Sequence, residues 1–408
     1  MTQLARSLGV VRSMGIGVAA MLGAGVFFVW APAYQLAGPW LLVALAIAAL
    51  IATLNALVTT QLAVNVPHSG GIYAFGRHYR GSFTGFVAGW MFLTGKTASV
   101  AAIALIAASY VWPEGARLLA AGLLALGTII TVSGIRQTAW LSLTIAVIVT
   151  VGLVVLVGLS LITTPAVSVS TSTTAPEPLS ILTAAALMFF GFAGYARMAT
   201  LAEEVVEPRR TLPRAIGFAL AIVLALYALV GWGVSRVLPG YSGEFDTPLR
   251  VLAPGGWAAT VTVLAVVACV GSLLAILAGL SRTALQMGRE GDLPRILGKV
   301  SKTTGGPMVA EITVGLVAVI AVLTLDVTGL VAVSGAGVLT YYAIGHWSAL
   351  KQTPDERLVW PAVPVAGLLL CALLVLVLPW QSLVVAAISL VVGALWFAVA
   401  ERSRRRVG

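Results

Sequence analysis

Two basic side chains fall within or beside long apolar runs, and they frame the chemistry open to this chain. Lys96 lies in Trp90-Met91-Phe92-Leu93-Thr94-Gly95-Lys96-Thr97-Ala98-Ser99, well inside the run 84–112. A charge at the centre of a membrane helix costs ~2.5–3.5 kcal/mol on insertion scales and usually marks a functional position. The competing reading is an amine that snorkels to the outer surface or bonds a helix-end carbonyl. Arg197, just ahead of Glu203 and Glu204, reads instead as a partner for acids at the inner gate. No Asp or Glu lies deep in any apolar run, since Glu311 and Asp326 sit at the ends of one. His68, His78 and His346 do not cluster with carboxylates or thiols, and Cys269 and Cys371 are far apart in sequence. Neither a metal site nor a disulfide framework is expected. The chain also lacks the convergent His, Asp, Glu and Ser of a hydrolase or transferase and the phosphate-binding loop of a primary pump. No catalytic residue and no cofactor are expected.

Glycine supplies the second chemical feature. Gly191 and Gly194 stand among aromatics in Phe189-Phe190-Gly191-Phe192-Ala193-Gly194-Tyr195, at the end of an apolar run. The first apolar run holds Gly15, Gly17 and then Gly23-Ala24-Gly25. Glycine costs roughly 1 kcal/mol in a helix interior, so close pairs at these places suggest planned interruptions. A broken helix exposes backbone groups at bilayer depth, and membranes tolerate that only where the groups line a cavity. The plainer alternative is a glycine-packed contact between helices.

The elements that position these residues are membrane spans. Of the 408 residues, 60% are hydrophobic and only 9% charged, against about 25% charged in soluble domains; the mean hydropathy is +1.03. The chain is therefore an all-α polytopic membrane protein. Spans of roughly 20 apolar residues fall near 14–35, 40–64, 84–112, 116–134, 139–162, 179–202, 213–237, 257–284, 308–325, 327–349, 359–378 and 381–400. That predicts twelve. Ala31-Pro32-Ala33 mimics a signal-peptide cleavage site, but the apolar stretch before it is too long, so the first span reads as uncleaved.

Basic residues set the orientation. With the N-terminus inside, cytoplasmic loops and tails hold 19 Lys and Arg, and the outer loops hold three, Arg117, Arg236 and Arg250. This positive-inside bias places both termini in the cytoplasm and explains the net charge of +10 without a nucleic-acid partner. The basic tail 401–408, with Arg404, Arg405 and Arg406, reads as an anchor at anionic lipid headgroups.

A Ser/Thr/Pro-rich outer loop, 163–178, divides the chain. Five spans precede it (1–162) and five follow (179–349), before two further spans (359–400) and the tail. Each set of five opens with a glycine-interrupted span. Paired interruptions in corresponding helices point to inverted repeats of a transporter, with helices 1 and 6 broken.

Four stretches carry a family resemblance. Gly15-Ile16-Gly17 followed by Gly23-Ala24-Gly25-Val26-Phe27 resembles a glycine-rich substrate loop. Val66-Pro67-His68-Ser69-Gly70-Gly71-Ile72-Tyr73-Ala74-Phe75 follows span 2. Ala202-Glu203-Glu204-Val205, with Pro208-Arg209 and Pro213-Arg214-Ala215-Ile216, follows span 6. Gly288-Arg289-Glu290-Gly291-Asp292-Leu293-Pro294 follows span 8. Together, in this order, they resemble the amino acid–polyamine–organocation permease superfamily over nearly the whole chain.

The resemblance implies that backbone N–H groups of Gly23, Ala24 and Gly25 hold a substrate carboxylate. It implies that carbonyls of Phe189, Phe190 and Phe192 hold the amino group, with Phe192 and Tyr195 capping the pocket and Lys96 lining it. Two acidic positions common in relatives are missing, with Ala196 at one and Thr59, Thr60 and Gln61 at the other. A cationic side chain would need a buried carboxylate, so neutral amino acids are the expected substrates. Ser272 and Ser281 of span 8 are nine residues apart, too far around the helix to hold one sodium ion together. The expected function is therefore sodium-independent secondary transport of amino acids across the plasma membrane by alternating access. Lys96 would replace a coupling cation, carry a proton or attract the carboxylate. The alternative is a membrane sensor, or a transporter of another small amine or organic acid.

Overall fold

The computed structural model describes residues 8–66, 70–134, 139–163, 176–195, 205–238, 247–301 and 304–407, without the side chains of Tyr195 and 403–407. Among these, eight helices are long and apolar enough to cross a membrane, and four shorter apolar helices join them. In chain order, span 1 comprises Val10–Met21, Gly25–Phe28 and Trp30–Ala37. Span 2 is Leu41–Asn65, span 3 Ser82–Val111, span 4 Ala116–Val132 and span 5 Ala139–Thr163. Span 6 is Pro178–Met188, continued as a 3-10 turn over Phe189–Tyr195. Spans 7 to 12 are Pro208–Ser235, Ala258–Arg289, Met308–Thr324, Val327–Ala349, Ala362–Leu376 and Trp380–Val407. No strand occurs among the described residues; Leu8 and Val205 form one isolated bridge.

Helices dominate because a spanning segment must satisfy its backbone groups internally. Local signals set several starts. Pro178 and Pro208 open spans 6 and 7 at the position where a missing N–H costs nothing. Asp326 caps span 10 by accepting the Gly329 N–H at 3.2 Å.

Span 3 forms the centre. Of its best 18-residue window 89% is buried, against 17% for span 12 at the periphery. It packs on spans 8 and 10 most extensively, then on spans 4, 9 and 12. Spans 3 and 10 touch backbone to backbone, for a Cβ on Gly337 would lie 2.7 Å from the Gly95 Cα. Each of the first four spans packs on the one five places later: 1 on 6, 2 on 7, 3 on 8 and 4 on 9. Advancing other pairs by five reproduces them too, since 1 on 7 has its counterpart in 6 on 2, and 3 on 4 in 8 on 9. That exchange is what a five-plus-five repeat produces. Spans 11 and 12 lie outside it, against spans 10 and 2 and spans 10 and 3 respectively.

The structure departs from the apolar-run reading in four places. Ile72–Arg80, read as loop, is a short helix with Arg77, His78 and Arg80 in its last turn; it is too short and polar for a search by apolar runs. Span 6 leaves the α-helix after Met188 for a 3-10 turn that runs to Tyr195, and 196–202 lie outside the described residues. Span 7 begins at Pro208, five residues ahead of 213, because Pro213 inside the helix removes a single ladder bond. Span 12 stays helical through Val407, so most of the segment read as a basic tail extends the helix. Pro67, His68, Ser69, Ala196, Arg197, Ala202, Glu203 and Glu204, and most of the Ser/Thr/Pro loop, lie outside the described residues.

Candidate functional site: the crossing of spans 1 and 6

The helical ladder of span 1 closes with the Leu22 N–H on the Val18 carbonyl at 2.8 Å. Gly23 and Ala24 lie between helices, and the helix resumes at Gly25. Span 6 tightens into the 3-10 turn over Phe189–Tyr195, a geometry that inside a longer helix often marks a hinge. The two interruptions cross. A Cβ on Gly25 would fall onto the Gly191 Cα, and one on Gly194 would fall onto the Ala20 carbonyl and 2.6 Å from the Met21 nitrogen. Backbone rests on backbone, which is why glycine is required at these positions.

Between the breaks lies a cavity of about 20 Å³, room for about one water molecule. Ala20, Met21, Gly23, Ala24 and Gly25 of span 1 wall it, with Phe190, Gly191 and Gly194 of span 6. Span 3 contributes Lys96, Ser99 and Ile103, and span 8 contributes Ser272 and Ile276. Small-molecule sites run to about 300–1,000 Å³, so this is a closed arrangement, and a ligand of amino-acid size requires the two breaks to part.

Lys96 is 5% exposed. Its Nζ donates to the Ala193 carbonyl at 2.9 Å. The amine therefore ties span 3 to the interrupted part of span 6 while standing in the cavity wall. One turn on, the Ser99 and Ser334 hydroxyls share a hydrogen bond of 2.6 Å, joining spans 3 and 10. Ser272 lies against span 1, for a Cβ on Gly23 would sit 2.5 Å from the Ser272 Cβ. Ser281 is engaged elsewhere, donating to the Ala278 carbonyl at 3.2 Å. Among the described residues the cavity wall includes no Asp or Glu.

The aromatic positions separate. Phe190 borders the cavity. The ring of Phe189 meets Tyr342 edge-on at 6.0 Å, and Phe192 lies against Tyr227 at 4.6 Å. Tyr195 closes the 3-10 turn, and its side chain lies outside the described residues. Ser99, Ser334 and Tyr227 escaped the sequence reading. A hydroxyl inside an apolar span carries no periodic or motif signal, and only the packing brings these three to the crossing.

The chain matches the family described as amino acid permease over residues 8–400. It belongs to that family. Similar proteins include an uncharacterized transporter of Mycobacterium tuberculosis, 41% identical over 99% of this chain and 93% of the relative. The branched-chain amino acid permease BcaP of Bacillus subtilis is 26% identical over 99% of this chain and 95% of its own length. The vacuolar cationic amino acid transporter 2 of Arabidopsis thaliana is 28% identical over 87% of this chain, which spans 61% of that longer protein. The family is one of transporters, and with its apolar helices this chain is a multi-pass membrane permease of amino acids.

Away from the crossing, the permease is fastened by side chains around the helix Ile72–Arg80. Arg77 binds the fully buried Asp292 at 2.7 Å. The Tyr73 hydroxyl donates to the same carboxylate at 2.8 Å, and Trp396 donates to the Asp292 carbonyl at 2.8 Å. Burial holds the Tyr73 phenol well above its ordinary pKa, and the neighbouring Asp292 carboxylate adds to the effect. On the other side, the Tyr79 hydroxyl donates to Glu356 at 3.0 Å and accepts from Gln352 at 3.2 Å. Burial pushes the Tyr79 phenol up to about 12. The Thr353 backbone N–H holds the Glu356 carboxyl below its usual range. Gln61 of span 2 completes this set, donating to Gln352 at 2.6 Å and accepting the Leu358 N–H at 2.7 Å and the Val359 N–H at 2.9 Å.

Proposed function

We propose that this permease is a secondary transporter of neutral amino acids that works by alternating access, without sodium, in the plasma membrane. The observation that carries the reading is the cavity wall: an amine and hydroxyls from spans 3 and 8, two interrupted backbones and, among the described residues, no carboxylate. A cationic side chain brought there would be desolvated beside Lys96 with nothing to offset it. Recognition falls to the backbone, with the N–H groups around Gly23, Ala24 and Gly25 for the carboxylate and the carbonyls of Phe189, Phe190 and Phe192 for the amino group. Phe192 and Tyr195 are the proposed cap once the breaks part. The name of the Bacillus relative, a branched-chain permease, agrees with a neutral substrate; the name of the plant relative points to cationic ones.

Lys96 already places its amine at a break carbonyl. It takes the place of a coupling cation in this reading, with a proton as the alternative coupling ion. The repeats proposed for alternating access are 1–162 and 179–349, joined by the outer loop 163–178, with spans in 359–400 and the basic segment 401–408 outside them. Both termini are cytoplasmic in this reading, on the basic-residue bias. An outside-active phosphatase fused after Arg406 would then stay silent.

The test of substrate class is uptake of radiolabelled L-leucine and L-arginine into proteoliposomes, with and without sodium. Leucine uptake that is indifferent to sodium supports the reading. Uptake of arginine alone, or a strict sodium requirement, overturns it.

A further inference from the structure

The Tyr227 side chain reaches the same crossing from span 7. Its ring is held between Phe192, at 4.6 Å, and Trp30, at 5.6 Å. Trp30 is fixed in turn by its indole N–H on the Val26 carbonyl at 2.7 Å. The residue is 0% exposed, so the hydroxyl has one place to be, and that place touches both breaks. A Cβ on Gly25 would lie 2.8 Å from the Tyr227 hydroxyl oxygen, and a Cβ on Gly191 would collide with it. Among the described residues this hydroxyl has no hydrogen-bond partner.

A phenylalanine would fill the same space without burying an unpaired polar group, so the hydroxyl is a cost in the closed arrangement. The arrangement changes when a ligand enters. Parting Gly25 from Gly191 opens the gap at whose edge the hydroxyl stands. The Lys96 amine is already committed to the Ala193 carbonyl, whereas the phenol beside Gly25 and Gly191 has its donor to spare among the described residues. A phenol donating to a carboxylate makes a charge-assisted bond, roughly twice as strong as a neutral one.

We propose that Tyr227 is a substrate-binding residue whose hydroxyl donates to the α-carboxylate of the transported amino acid at the junction of the two breaks. This rests on the transport reading above. The test compares the unmodified permease with Tyr227→Phe, which removes the hydroxyl and keeps the ring packing. Radiolabelled L-leucine uptake is measured in competition with unlabelled leucine and with leucinamide, which lacks the carboxylate. The melting temperature of each purified protein is read with and without leucine.

The variant is expected to weaken leucine about tenfold or more, to leave leucinamide within about twofold, and to melt at the same temperature or higher when empty. If uptake by the variant is too low to measure, loss of the leucine-dependent rise in melting temperature supports the proposal in its place. Equal leucine affinity in both proteins overturns it, as does equal weakening of leucine and leucinamide, or a lower melting temperature of the empty variant. An unmodified protein that neither takes up leucine nor is stabilised by it refutes the neutral-substrate reading itself, and the proposal falls with it.

Discussion

At the crossing of spans 1 and 6, Gly25 lies on Gly191 and Gly194 on the Ala20 and Met21 backbone. Among the described residues, a side-chain hydrogen bond from Lys96 to the Ala193 carbonyl holds the interrupted turn. Around the helix Ile72–Arg80 the balance is reversed. Arg77, Tyr73 and Trp396 converge on Asp292, while Tyr79, Gln61 and Gln352 form a second set that ends on Glu356. The first region is held mainly by backbone-to-backbone contact. The second is held by matched donors and acceptors and has few to spare. A site that must open around a ligand is better made from van der Waals contact, because parting it breaks few bonds. A closure that must hold without a ligand is better made from a buried ion pair, which is costly to leave half-made.

Substitutions that exchange the two modes break this contrast most strongly. Gly194→Val forces a branched side chain onto the Ala20 backbone. Overpacking costs typically about 1–3 kcal/mol and occasionally more, and the variant is expected to insert in the membrane normally yet lose uptake entirely. Unimpaired uptake would show that the breaks need not touch. Asp292→Ala takes the carboxylate from Arg77 and Tyr73, while the backbone carbonyl that Trp396 bonds remains. Losing one partner of a buried pair costs about 3–5 kcal/mol, so the variant's melting temperature in detergent should drop sharply. A melting temperature equal to that of the unmodified protein would remove the ion pair from the account.

Smaller effects sharpen the comparison. Lys96→Met deletes the tie from span 3 to the Ala193 carbonyl and should lower uptake about tenfold between pH 5 and 8, with the pH dependence flattened. Unchanged activity at every pH would leave Lys96 without a role in coupling. Tyr79→Phe removes two hydrogen bonds from the second region, and about 1 kcal/mol of stability should go with them, read as a modest fall in melting temperature with leucine affinity retained.

Much of the fold was legible in the sequence because lipid demands it. Twelve apolar runs predict twelve spans, and glycine pairs at 23–25 and 191–194 predict both interruptions, since glycine costs roughly 1 kcal/mol in a helix interior. What escaped depends on partners distant in sequence. Ile72–Arg80 is helical because Tyr73, Arg77 and Tyr79 find Asp292 and Glu356, more than 200 residues away. Tyr227 looked like an ordinary aromatic of span 7, and Ser99 like an ordinary small residue of span 3. Lys96 was legible as exceptional, but not the carbonyl it bonds, because that carbonyl is free to accept only where span 6 leaves the α-helix.

Recognition by backbone at the crossing is tested most directly by L-leucine binding to Gly191→Ala. The added methyl would sit on the Tyr227 hydroxyl, at the point where Gly25 meets Gly191, and it touches no charged group among the cavity-wall residues. Leucine binding to the purified permease, measured by equilibrium dialysis, should disappear in this variant, which is still folded in detergent although its melting temperature falls with the overpacking cost of about 1–3 kcal/mol. Leucine bound with unchanged affinity would contradict the account, because a site made from those two backbones cannot accommodate that methyl and keep its ligand.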